Sequence, residues 1–331
     1  MTRRFTLLLA LVLLALFLVG GFALERRFLA PVAPEKPVTI EVESGDSLAA
    51  VAQRLAAEGV VRSPWSLRLL ARLRGEGGRM QTGRYAFVER AGPAEILERL
   101  ISGDVIQVRV TIPEGWTLRE IAARLAEEDL APEAKILALA RDPDFARQLG
   151  IEADSLEGYL FPDTYLVPAG MPAGGILAVM VRELRRHLTP ELVAAARRQG
   201  LDDHQLLTLA SIVQKEAGNQ EEMPLIAAVF HNRLHRRMPL QADPTVIYGI
   251  PDFDGNLTRE DLARKTPYNT YRIRGLPPGP IASPGDAALQ AAAHPAPVDY
   301  LYFVARGDGT HRFSSTLAEH NRAVRRYQLR R

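Results

Sequence analysis

Residues 45–58 read GDSLAAVAQRLAAE, and residues 115–128 read GWTLREIAARLAEE. At an offset of 70 the two stretches align Gly45 with Gly115, Ser47 with Thr117, Leu48 with Leu118, Ala52 with Ala122, Arg54 with Arg124 and Leu55 with Leu125. Each follows an alternating segment, residues 38–42 or 108–112, where a period of two predicts a strand. Each then reads as a Gly-containing turn, a Ser or Thr N-cap and an amphipathic helix. Two copies this far apart predict a duplicated small βα module rather than a solenoid, whose short units stack many times over. The later part of the chain alternates short helices with loops rich in Pro, Tyr, Asn, Thr and Gly, so the fold class expected is α+β.

Outward toward the N-terminus, residues 1–4 carry Arg3 and Arg4, and residues 5–24 read FTLLLALVLLALFLVGGFAL, 20 residues without a charge. About 20 apolar residues suffice to cross the hydrocarbon core as a helix. A cleaved signal peptide is the rival, with Gly21-Phe22-Ala23 as a poor cleavage site, but the apolar run exceeds a usual signal core. The expectation is an uncleaved single-pass transmembrane anchor in the cytoplasmic (inner) membrane. Arg3 and Arg4 argue for a cytoplasmic N-terminus, and Arg26 and Arg27 on the far side oppose it. No second spanning stretch is seen in the sequence, which places the rest in the periplasm or otherwise outside the cytoplasm. Residues 25–37 form a linker that ends in the Pro-rich spacer LAPVAPEKP, extended and semi-rigid.

The first repeat copy resembles the LysM family of glycan-binding modules, through Gly45-Asp46-Ser47-Leu48 and the helix containing Val51-Ala52. The second half of such a module is not evident in residues 60–80. Glycan contact and plain scaffolding between anchor and catalytic part both suit these residues. The expected organisation is a LysM-like duplicated βα region at 38–131, a helical connector at 132–153 and a catalytic domain at 154–331.

Composition excludes several classes. The 37 Arg and 4 Lys are scattered at a net charge of +2, without the basic patch that nucleic-acid binding needs. The absence of cysteine rules out disulfides, thiolate zinc, iron–sulfur clusters and a lipidated N-terminal Cys. Neither a P-loop nor a dinucleotide fingerprint occurs, so no cofactor is expected. His231 and His235 are four apart, but the Glu of an H-E-x-x-H motif and a third ligand are missing, so no metal is expected either. Ser211 and Lys215 are four apart, whereas the S-x-x-K motif of penicillin-binding proteins needs three.

The chemistry is concentrated at residues 206–218, LLTLASIVQKEAG. At 3.6 residues per turn, Leu206, Leu209, Ala210, Val213 and Ala217 form one apolar stripe. Glu216 projects at its margin, Ser211 and Lys215 point away, and Gly218 reads as the helix stop. Partial burial and the negative helix end both disfavour an ionised Glu216. A carboxyl held protonated near neutral pH can serve as a general acid, while a salt-bridged surface glutamate is the plainer alternative. Around it, Glu157, Tyr159 and Asp163 in EGYLFPDTY, Gln241 and Tyr248 in LQADPTVIYG, and Asn269 and Tyr271 in TPYNTY combine aromatic faces with hydrogen-bonding groups, as sugar rings require. Each also suits a turn or a packing role. Asp243 before Pro244 reads as an N-cap and N1 pair.

EGYLFPDTY, ASIVQKEAG, VFHNRL, LQADPTVIYG, TPYNTY, GLPPGPIASPG, AAAHP and YLYFVA follow one another over residues 156–321. In order, spacing and number these segments resemble the endolytic murein transglycosylase family (MltG, also called YceG-like). The resemblance implies a lytic transglycosylase that cuts the β-1,4 bond between N-acetylmuramic acid and N-acetylglucosamine within peptidoglycan strands. It would leave 1,6-anhydro ends and limit strand length beside the peptidoglycan synthases. It implies that Glu216 is the catalytic acid. Position 214 is Gln here, where relatives can carry Glu, so the role cannot belong to it. A two-carboxylate muramidase-type hydrolase using Glu216 with Asp243, Asp163 or Glu157, and a non-catalytic peptidoglycan-binding scaffold, remain as alternatives.

Overall fold

The computed structural model describes residues 11, 13–15, 18–22, 26, 28–251 and 253–329. Much of the apolar run expected to be the anchor lies outside the described residues. Of those described, Leu11, Leu13, Leu14, Leu18, Val19 and Phe22 are helical and exposed. No helix among the described residues is long and apolar enough to cross a membrane. The chain forms two compact units, residues 1–108 with 166–171, and residues 109–165 with 172–331.

The first unit contains the first repeat copy. Strand β1 (Val38–Val42) leads into helix α1 (Leu48–Ala57), where Ser47 accepts a hydrogen bond from the Ala50 N–H at 3.2 Å. Asp46 accepts from the Glu43 N–H and pairs with Arg54, which fixes the turn. Helix α2 (Pro64–Arg74) starts at Ser63-Pro64 and stops at Gly75, whose φ of 68° is the left-handed cap. Strand β2 (Gly83–Phe87) returns antiparallel, with Ile40 opposite Tyr85 and Val38 opposite Phe87. Alternate residues of both strands pack on Val51, Leu55 and Leu67, and on Leu97 and Leu100 of helix α3 (Pro93–Ser102). Residues 64–87 therefore hold a helix and a strand that the sequence reading did not find. Trp65 and Leu73 lie exposed on α2 and blur the period that would have marked it.

The second copy follows the same order. Strand β3 (Gln107–Thr111) leads to α4 (Leu118–Glu127), closed by a capping box between Thr117 and Glu120. Helices α5 (Glu133–Ala140) and α6 (Pro143–Gln148) follow, and β3 pairs with β4 (Thr164–Pro168). The division between units falls inside β3 and β4, so α4 belongs to the second unit.

After β4 come α7 (Ala173–His187) and α8 (Pro190–Arg198), then α9 (Asp203–Glu216), which opens with a capping box between Asp202 and Gln205. Residues 206–213 of α9 are all buried, because α8, α10 (Met223–His235), α11 (Asp243–Tyr248) and α13 (Asp286–Ala293) surround it. Ser211 therefore does not face solvent, as one-sided amphipathicity suggests. Its hydroxyl donates to the Thr208 carbonyl at 2.7 Å and accepts from the Ile281 N–H at 3.1 Å. The short α12 (Arg259–Ala263) lies between α11 and α13 in sequence. Hairpin β5 (Tyr302–Ala305) and β6 (His311–Ser314) places Phe303 opposite Phe313, and α14 (Leu317–Tyr327) packs on it.

Candidate active site

Glu216 ends α9 and is half-buried. Gly218 does not stop the helix by a left-handed cap: the chain already leaves at Ala217 (φ −75°, ψ 123°), and Gly218 is not among the glycines of positive φ. A glycine is needed there for another reason. A Cβ on Gly218 would lie 2.6 Å from the Gly309 carbonyl oxygen. Asn219 donates its side-chain amide to that same oxygen at 3.1 Å. The tip of the β5–β6 hairpin thus presses against the exit of the Glu216 helix. Glu222 holds the base of β6, accepting from the His311 N–H at 3.0 Å and pairing with the ring Nδ1 at 2.8 Å.

Burial pushes the Glu216 carboxyl up to about 8, and the nearby Asp243 carboxylate pushes the same way. The Arg233 guanidinium and the Asp243 backbone N–H pull against them. Arg233 is buried on α10, where Nε donates to the Leu301 carbonyl at 2.7 Å and one terminal nitrogen donates to the Leu240 carbonyl at 2.7 Å and to Gln241 Oε1 at 3.2 Å. Gln241 is exposed and takes a φ of 52°, a left-handed conformation that costs a non-glycine residue strain. That bend turns the chain into α11.

Asp243 does not cap α11 as its sequence context suggests. Ala242 occupies the N-cap position without a side-chain bond, and Asp243 is the first helical residue. Its carboxylate instead accepts from the Tyr271 hydroxyl at 2.6 Å. Asn269 is buried, and its Nδ2 donates to the Arg264 carbonyl at 2.6 Å while its Oδ1 accepts from the Tyr271 N–H at 2.9 Å. Its amide is thereby engaged within the loop, where it positions Tyr271 rather than facing a ligand. Thr270 ties the same loop to α11 by accepting from the Ala242 N–H at 3.0 Å.

Glu157 lies at the other end of α11. It is buried, accepts from the Leu118 N–H of α4 at 2.9 Å and from the Tyr248 hydroxyl at 3.1 Å, and burial pushes it up to about 7. Tyr248 packs its ring 4.8 Å from that of Tyr268. The six residues of α11 thus separate two carboxyl environments by about 9 Å of helix. Tyr159 is buried, and its hydroxyl meets His204 Nδ1 at 2.7 Å, while His204 Nε2 meets the Pro278 carbonyl at 2.7 Å. A carbonyl only accepts, so Nε2 donates to Pro278. This chain of bonds anchors the GLPPGP loop. Asp163 is exposed before β4, its carboxylate accepting from the Thr164 N–H at 2.6 Å and its carbonyl from the Ile112 N–H at 2.9 Å. These bonds define a turn.

The structure therefore groups Glu216 with Asp243, Arg233, Gln241 and Tyr271, and groups Glu157 with Tyr248. Arg233 was absent from the sequence candidates. Its signal is an arginine ten residues after Met223 and seven after Ile226, on the buried side of an otherwise apolar helix. His231, paired in sequence with His235, is tied to the Ala292 carbonyl at 2.8 Å.

The profile described as the YceG-like family matches residues 40–326. The chain belongs to that family. The match opens inside β1, so the first unit is part of what the family shares. An endolytic murein transglycosylase of Bacillus subtilis strain 168 is 33% identical over 332 residues, covering 94% of this chain and 91% of the relative. One from Streptococcus pneumoniae strain D39 is 29% identical and covers 95% of this chain, which spans 63% of that relative's length. The crystal structure of a yceG-like protein from Listeria monocytogenes superposes with a TM-score of 0.60 at 32% identity, covering 87% of this chain and 99% of that one.

Proposed function

We propose that this YceG-like protein is a lytic transglycosylase that cuts peptidoglycan strands internally, between N-acetylmuramic acid and N-acetylglucosamine. The observation that carries the reading is the state of Glu216, a half-buried carboxyl at a helix end held protonated up to about pH 8. Such a group protonates the leaving glycosidic oxygen as positive charge develops at C1. The carboxylate left behind then takes the proton of the muramic acid C6 hydroxyl, whose oxygen bonds to C1. The product is a 1,6-anhydro end and no water is consumed. Asp243, oriented by Tyr271, supplies negative charge toward the same centre, and Arg233 braces the loop that carries it.

Residues 5–24 serve as the membrane anchor, a reading supported by the exposed apolar side chains at Leu11, Leu13, Leu14, Leu18, Val19 and Phe22. The catalytic part then works outside the cytoplasm, beside the synthases that supply new strands. The strand–helix–helix–strand completion of the first repeat copy supports its reading as a LysM-like glycan module.

The placement of Asp243 beside Glu216 also favours a second reading, hydrolysis by two carboxyls with water attacking C1. One experiment separates the two. The full chain in detergent is incubated with purified glycan strands, beside Glu216→Gln, and the new ends are weighed by mass spectrometry. Ends lighter by one water, absent with the variant, are expected. Reducing ends would establish the hydrolase, and a fully active variant would refute both.

A further inference from the structure

Two cavities of the second unit abut, and Glu216 lines neither. The smaller, about 210 Å3, is bounded by Tyr159, Tyr268 and the Pro278–Pro280 turn, with the carboxylates of Glu152 and Asp154 at its mouth and Glu157 inside; it has no Lys or Arg in its lining. The larger, about 610 Å3, is within the usual range for ligand sites. Its floor is aliphatic, including Val181, Leu184 and Leu207, and its rim carries Arg185 and Arg197 with Asp202 and Asp203. Glu152, Tyr159 and His204 belong to both linings. The rim charges are unequally engaged. Asp202 caps α9 through the Gln205 N–H, and Arg185 is bonded to the Leu149 carbonyl. Arg197 is exposed and only 3.8 Å from Asp203, a loose pair.

The chemistry of the two cavities is complementary to one kind of ligand. An acid-lined pocket with tyrosine walls takes an ammonium group. An apolar floor takes an aliphatic chain, and an exposed guanidinium at the rim, only loosely paired with Asp203, takes a carboxylate. A short peptide with a side-chain amine and a free carboxyl end has these three parts in this order. The position fits as well. Tyr268 packs on Tyr248, which closes α11, and the opposite end of α11 adjoins Glu216. That is about 9 Å of helix, and an extended peptide covers about 3.3–3.6 Å per residue. The second or third residue of a peptide hanging from the sugar at the cut would reach the acid-lined cavity.

We propose that these joined cavities read the peptide stem of the murein strand, seating a side-chain amine among Glu152 and Asp154 and the peptide carboxylate at Arg197. This rests on the glycan-strand reading of Glu216 and deepens it, since it makes the enzyme selective for strands that still carry free, uncrosslinked stems. The test uses the full chain in detergent and three substrates: strands with intact stems, the same strands with the stem amines acetylated, and strands stripped of peptide by an amidase. kcat/KM is expected to be about tenfold higher on intact stems than on either of the others, the size of one charge-assisted contact. In Asp154→Asn/Arg197→Gln, whose substituted side chains are both exposed, that ratio should fall toward one. A ratio near one for the native chain, or an unchanged ratio in the double variant, overturns the proposal. If the native chain cuts none of the three, the glycan-strand reading has failed. Calorimetric titration with the free stem peptide then decides the cavities by themselves. Binding that is lost on acetylation and in the double variant supports them, and no binding overturns them.

Discussion

Glu216→Gln should make the protein more stable in alkaline solution while abolishing its activity. In the unfolded chain the Glu216 carboxyl titrates near 4.5, and in the folded protein it keeps its proton to about 8. Between those two values the folded state binds one proton more than the unfolded state, so raising the pH favours unfolding. The loss begins near pH 4.5, grows until about pH 8 and is constant above it. Between 4.5 and about 8 the gap is roughly 3.5, and at about 1.4 kcal/mol for each step of one this sets a loss on the order of 5 kcal/mol. Glutamine occupies nearly the same volume, carries no charge at any pH and escapes the loss. The assay is urea unfolding of the native chain and the variant at pH 5, 7 and 9, followed by circular dichroism. The difference in stability should widen in favour of the variant from pH 5 to pH 9. Parallel curves across that range would refute the claim that burial holds the proton on Glu216.

Three further outcomes test the surrounding groups. Asp243→Asn removes one of the two influences that raise Glu216, so the alkaline fall in kcat/KM should move below its native position, and an upward move would contradict the assigned geometry. Tyr271→Phe removes the 2.6 Å bond to Asp243 and should lower kcat by about tenfold or more with little change in melting temperature; unchanged kinetics would remove Tyr271 from the site. Gly218→Ala drives a Cβ into the Gly309 carbonyl and should cost about 1–3 kcal/mol in unfolding free energy, and an unaltered melting curve would show that the hairpin tip yields freely.

The parts of this architecture that could be read from the sequence are those governed by neighbours a few residues apart. Helical period and capping chemistry located α1, α4 and α9 and put Glu216 at a helix end. What escaped depends on partners far along the chain. Gly218 looked like a stop signal because its actual constraint, Gly309, lies 91 residues away. Ser211 looked solvent-facing because nothing local announces the Ile281 N–H that it receives. Asp243 looked like a cap because Asp-Pro is a local motif, whereas its partner Tyr271 comes from a separate loop. Arg233 escaped for the opposite reason: an arginine on an apolar face is discounted unless the carbonyls of Leu301, Pro239 and Leu240 and the nearby Glu216 carboxyl can be foreseen around it. Asn269 shows the limit of reasoning by residue type, since its amide could as well grip a sugar as close a loop.

The first unit is written in the gene as two pieces. Residues 166–171 return to it from the far side of β4, and the Arg84 N–H donates to the Ala169 carbonyl while the Ala169 N–H donates to that of Ile106. A single cut after residue 108 would therefore strip the first unit of partners encoded some sixty residues downstream. Recombination or grafting that treats this unit as an interchangeable N-terminal bead must fail unless it respects two junctions at once. Its inheritance is thereby tied to that of the catalytic unit.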